Sequence, residues 1–204
     1  MTNKVYVKQY SCPKIDKIEM LRYAGVKSQN DDCGELLDEL CSTIIPRLSY
    51  KVCYTVLPVC RGDHICIGGV DFSSNMLSEH FREATYALLF CATVGGEIDR
   101  QIARYSLRSP LHALLCNAIG TERVEALCDV FCRDIAAALS SPFERLPRYS
   151  PGYGDLSLEC QRAVFDILSP ERYIGVTLRE SMIMSPSKSV TAFIPLHSPL
   201  TAPL

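Results

Sequence analysis

The sequence predicts an α+β fold, a twisted antiparallel sheet with helices packed around it. Three observations carry this. Residues 50–57 alternate Tyr50, Val52, Tyr54 and Val56 against Lys51, Cys53, Thr55 and Leu57, the period of a strand. Val124, Leu127, Cys128, Phe131, Ile135 and Leu139 recur at helical spacing and form one apolar stripe. Helices and strand hairpins follow one another in mixed order, which favours an antiparallel sheet.

From the N-terminus, residues 15–24 read as a short helix ended by Gly25. Residues 31–45 read as a second, with Leu36, Leu37, Leu40 and Ile44 on one face and Pro46 after it. The strand at 50–57 leads through a turn at Arg61-Gly62-Asp63 to a return strand over 64–70. The apolar run 84–93 suits strand or helix by period alone. Its length and the Gly95-Gly96 that follows favour a buried strand, then a helix over about 96–107. Ser109-Pro110 places a cap and a first-turn proline at the start of a long helix. It extends to about Leu139, with a break expected at Gly120 and a stop at Ser140-Ser141-Pro142. Residues 157–168 form another amphipathic helix, through Gln161, Val164, Phe165 and Leu168. Strands are expected at about 173–184 and 188–195, joined by Ser185-Pro186-Ser187, before a loose tail.

At 204 residues the chain has the length of one domain with a sizeable core, or of two small lobes. Apolar residues make up 48% and charged residues 22%, ordinary for a folded protein. The net charge of −2 carries no nucleic-acid or anionic-membrane signature. No apolar run reaches the roughly 18 residues of a membrane span. The first residues lack an apolar signal core, so a cytoplasmic protein is expected.

The eleven cysteines are odd in number and follow no export signal, which argues against a disulfide framework. No C-x-x-C occurs and the four histidines are scattered, so no metal is expected. Cys128 and Cys132 stand i, i+4 and share a helix face, but most of the others lie in apolar runs, where cysteine acts as a small hydrophobe.

The loop RYSPGYGD at 148–155 is where small-ligand chemistry concentrates. Arg148 supplies a planar donor fork suited to a carboxylate. Ser150, Pro151 and Gly152 put several backbone groups on one short turn, and glycine lets that backbone approach a ligand closely. Tyr153 offers a ring to stack and a hydroxyl to donate. The same residues also describe an ordinary Pro-Gly type II turn.

Two patterns occur in order at a matching separation. One is R-x-x-x-G-Y on Arg148, Gly152 and Tyr153. The other is L-x-E-S-x-x-M-x-P-x-x-S-V on Leu178, Glu180, Ser181, Met184, Pro186, Ser189 and Val190. Together they resemble the activation domain of cobalamin-dependent methionine synthase, which binds S-adenosylmethionine (AdoMet). The resemblance is specific over 121–195 and suggestive before that. The whole of 1–204 then reads as one unit, with N-terminal helices and a hairpin over 1–80 and an AdoMet-binding core region over 121–195.

The resemblance implies ligand contacts at Arg148, Ser150, Gly152 and Tyr153, and a carboxylate on the preceding long helix, which falls on Glu125. Glu125 lies about 100° from the centre of the apolar stripe, at the edge of the packed face. A further family carboxylate near the start of the domain has Asp16 as its candidate, at a spacing that departs from the family's. The family's aromatic pair near the C-terminus falls at about Ile194 and Pro195, so no aromatic contact is expected there.

The implied function is a stand-alone reactivation module. It presents AdoMet so that inactive cob(II)alamin, carried by a separate methionine synthase chain, is reductively methylated with an electron from a flavodoxin- or ferredoxin-like reductant. Because Asp63 and His64 are adjacent, no D-x-H-x-x-G pattern for cobalt is present, and cobalamin is expected on the partner chain. No catalytic acid or base is implied, since the sulfonium already activates the methyl group. Two alternatives stay open: a binding or scaffold protein of the same fold without AdoMet, and a methyl donor module for another corrinoid protein. Convergence of Arg148 and Glu125 on one pocket is what separates the first alternative from the implied function.

Overall fold

The computed structural model describes residues 4–26, 31–62, 64–139 and 147–197. The chain opens with a strand, β1 (Tyr6–Tyr10), and two helices, α1 (Lys17–Tyr23) and α2 (Asp31–Ile44). Strands β2 (Tyr50–Arg61), β3 (Ile65–Ile67) and β4 (Val70–Phe72) follow as a meander, then a short helix α3 (Asn75–His80). Next come β5 (Tyr86–Thr93), α4 (Glu97–Tyr105) and the long α5 (Pro110–Ala138). The last third holds α6 (Gln161–Leu168), α7 (Pro170–Ile174), a small hairpin of β6 (Thr177–Leu178) and β7 (Met184–Ser185), and β8 (Ser189–Leu196).

Among the described residues six strands form an antiparallel sheet, five in the order β4-β3-β2-β5-β8 and the sixth, β1, paired with β2. The long β2 has β5 along one edge; its other edge is shared, by β1 over Tyr50–Tyr54 and by β3 over Val59–Arg61. Helices cover both faces. Val52, Tyr54, Leu88, Phe90, Ala92, Ala192 and Ile194 face α2, α4 and α5, while Cys53, Leu57, Ala87, Leu89, Cys91 and Phe193 face α3, α6 and α7. This three-layer arrangement explains why 84–93 reads as a continuous apolar run: a strand buried on both faces shows no alternation.

Several expectations are corrected. The long helix runs unbroken through Gly120, where glycine serves close packing instead: a Cβ there would come within 2.8 Å of Ile98 Cγ2 and Lys188 Cγ. The strand expected over 64–70 is cut by Gly68 and Gly69, both at positive φ, into β3 and β4. The strand expected from 173 begins instead as α7, with Pro170 in its first turn and Gly175 closing it at φ 74. Only Thr177–Leu178 and Met184–Ser185 of that stretch are strand. β1 and α3 had no counterpart in the sequence reading. The stop at Ser140-Ser141-Pro142, Asp63 and the tail beyond His197 lie outside the described residues. No helix among the described residues is long and apolar enough to cross a membrane. Six of the eleven cysteines are buried, in keeping with their apolar surroundings.

Candidate functional site

A groove of about 790 Å3 runs along α5, within the size of small-molecule sites. One wall is the helix, contributing Glu122, Glu125, Ala126, Asp129, Val130 and Arg133. The other is the strap of residues 13–19 together with Tyr23 of α1, and Arg148 closes one side.

The strap is held by a buried ion pair. Arg123 is fully buried and donates Nη1 to the Pro13 carbonyl and Nη2 to the Lys14 carbonyl, both at 2.7 Å, while pairing with Glu122. Glu122 Oε1 accepts the Asp16 backbone N–H at 3.2 Å. Burial works against the Arg123 charge, but Glu122 outweighs it and holds the guanidinium above its usual value. Asp16 then caps α1 by accepting the Glu19 N–H at 3.0 Å. Lys8 and Tyr10 of β1 both bond Asp134, at 2.6 and 2.9 Å, which ties the preceding strand to the same helix.

Arg148 is aimed into the groove by the strand geometry of its neighbour. Tyr149 exchanges two backbone bonds with Phe193 of β8, at 2.9 and 2.8 Å. Successive residues of extended chain point to opposite faces, so Tyr149 enters the core under α3 and α6 while Arg148 turns toward α5. There Arg148 Nη2 donates to Glu125 Oε2 at 2.9 Å and to Asp129 Oδ1 at 3.4 Å. Burial opposes its charge, but the Glu125 carboxylate beside it holds the guanidinium above its usual value. Burial likewise pushes the Cys128 thiol up.

The structure therefore brings Arg148, Glu125 and Asp16 onto one groove. Glu125 is partly exposed at the edge of the packed face, as its helical angle predicts. Ser150, Gly152 and Tyr153 are not among the described residues lining it. They form the Pro-Gly type II turn that stood as the alternative to ligand contact, with Gly152 at φ 86 and the Tyr153 N–H on the Ser150 carbonyl at 3.1 Å. The Tyr153 ring is 65% exposed and stands edge-on to Tyr149 at 5.5 Å. Asp155 pins the turn by accepting the Ser74 hydroxyl and, at 2.8 Å, the Asn75 N–H at the start of α3. Ile194 is fully buried in the core beneath α5, and Pro195 points to the opposite face.

Asp129 and Tyr23 line the groove but were not singled out in the sequence. Asp129 follows Glu125 by four residues, so the helical repeat places both on one face. Tyr23 carries no signal of its own.

Behind the loop, His80 packs on Tyr149 with ring centroids 5.2 Å apart, and its Nε2 is buried with no hydrogen-bond partner among the described residues. Burial lowers its pKa, with the Pro147 carbonyl working the other way. The unfolded chain thus takes up this proton first, and stability is full above the ordinary value of 6.5 and falls as pH drops below it. Thermal unfolding compared at about pH 7.5 and about pH 5.5 should show this loss, and His80→Phe should reduce it. An undiminished loss in His80→Phe would assign it to other groups.

Set beside known proteins, the fold matches that of a solved structure. The crystal structure of the MetH reactivation domain bound to AdoHcy superposes with a TM-score of 0.69 at 16% identity, covering 99% of this chain and 80% of that one. The chain has that fold. No family model matches the sequence, and no curated protein matches it.

Proposed function

We propose that this chain is an AdoMet-binding reactivation module that supports reductive methylation of inactive cob(II)alamin in a separate methionine synthase chain. The observation that carries the reading is the convergence of Arg148, Glu125 and Asp16 on one groove of this fold. AdoMet presents a carboxylate, an ammonium and a sulfonium. The Arg148 fork complements the carboxylate, and Glu125 and Asp16 complement the two cationic centres. Tyr23 supplies a flat face beside them.

The sulfonium makes the methyl group electrophilic, so the chain's own residues bind and orient rather than move protons. The groove is partly open to solvent, which leaves a side for a cobalamin-carrying partner. The electron comes from an external flavodoxin- or ferredoxin-like protein.

Calorimetric titration with AdoMet, without cobalamin, tests the reading. Saturable one-to-one binding supports it. No binding favours a binding or scaffold protein of the same fold. Mixing the chain with cobalt(II) methionine synthase, AdoMet and a reductant should then accelerate formation of the methylcobalamin spectrum; acceleration only with a different corrinoid protein would reassign the partner.

A further inference from the structure

Strand β2 carries two cysteines that each face another cysteine directly across the ladder. Cys53 is the partner of Cys91 on β5, and Cys60 is the partner of Cys66 on β3. The two pairs differ in access. Cys53 and Cys91 are fully buried between the helical layers, whereas Cys60 is exposed and Cys66 half-buried near the tip of the β2–β3 hairpin.

The ladder fixes the geometry of the open pair. Gly68 N–H donates to the Pro58 carbonyl at 3.0 Å and Gly62 N–H to the His64 carbonyl at 3.2 Å. Hydrogen-bonded pairs recur at every second residue, so Cys60 and Cys66 form the bonded pair between these two, with Cα atoms about 5.5 Å apart. That separation lies within the roughly 4.4–6.8 Å between Cα atoms over which a disulfide closes, but the side chains of a bonded pair stand wider than the roughly 3.5–4.5 Å between Cβ atoms of a relaxed bridge, so the bond closes with strain and is readily reduced. Directly opposed residues also share a face, so both thiols project to the same side. Asp71 of β4 stands next in the row, opposite Cys66.

We propose that Cys60 and Cys66 are a reversible thiol–disulfide site, oxidised by a small-molecule disulfide such as oxidised glutathione. Cys60, the more accessible, attacks as thiolate one sulfur of the reagent, whose disulfide breaks and releases one glutathione thiolate. Cys66 then attacks the Cys60 sulfur of the mixed disulfide and releases the second. The two protein thiols give up two electrons and two protons, and the reagent accepts them as two glutathiones. Partial burial and then the neighbouring Asp71 carboxylate push the Cys66 thiol up, which leaves Cys60 as the first attacker and Cys66 as the resolving thiol. The Cys53–Cys91 pair has the same register but no path for the reagent, so it serves as an internal control.

The experiment incubates the reduced full chain with oxidised glutathione under native conditions, followed by intact-mass measurement and non-reducing peptide mapping. The expected result is a loss of about 2 Da that maps to one bond between Cys60 and Cys66 and is reversed by dithiothreitol. Cys53 and Cys91 should become alkylatable only on unfolding. Cys60→Ser, a surface substitution checked for folding by circular dichroism, should abolish the 2 Da loss, and Cys53→Ser should retain it. A lasting glutathione adduct on Cys60 with Cys66 still alkylatable would overturn the proposal, as would a bond joining any other cysteines.

Discussion

Arg123→Met should destabilise the protein by about 3–5 kcal/mol, the usual cost of removing one partner of a buried ion pair. Arg123 is fully buried and Glu122 nearly so, and the arginine is also the donor for the Pro13 and Lys14 carbonyls. Methionine fills the volume but leaves the Glu122 carboxylate without its cation and two strap carbonyls without their donor. Urea unfolding, followed by circular dichroism, measures the loss. The double variant Glu122→Gln, Arg123→Met removes both charges and should recover a good part of it, and it remains informative if the single variant does not fold. Parent-like stability in the single variant would show that the pair does not hold the strap.

Arg148→Ala should weaken AdoMet binding about tenfold to more than a hundredfold, the value of roughly 1.5–3 kcal/mol for a charge-assisted pair. The loss has two sources. The ligand carboxylate forfeits its donor fork, and Glu125 and Asp129, both now bonded to Arg148, are left as unbalanced negative charge beside it. Titration calorimetry at fixed salt measures the change. Tyr153→Ala should cost less, because Tyr153 stands off the described groove lining. Unchanged affinity in Arg148→Ala would remove the groove from consideration as the AdoMet site.

Periodicity served best where elements are long. The stripe from Val124 to Ile135 is buried as read, and the 50–57 alternation falls within β2. It failed on short elements. Residues 173–177 are rich in the aromatic and β-branched types that favour strands, and the five residues of α7 are too few to show a helical repeat. Ser169-Pro170 and Gly175 marked its ends, so local punctuation outweighed composition there. At the site, Glu125 and Arg148 were named from the sequence, and the structure pairs them. The strap was not legible, because Glu122 and Arg123 look like solvated helix charges until the chain that buries them is in place. Asp16 reaches the groove by that route, despite a spacing that sequence alone did not match.

The two walls of the groove differ in how firmly they are fixed. Helix α5 is buried against the sheet and its neighbouring helices, whereas the opposing strap from Pro13 to Asp16 is held by the bonds of Arg123 and Glu122, with the buried Met20 of α1 just beyond it. Local opening in a folded protein follows its weakest cooperative unit. The strap's opening rate, rather than any movement of the helix, should therefore set how fast a bound ligand leaves. Amide hydrogen exchange over residues 13–20 should slow when the ligand binds, while the middle of α5 stays protected throughout.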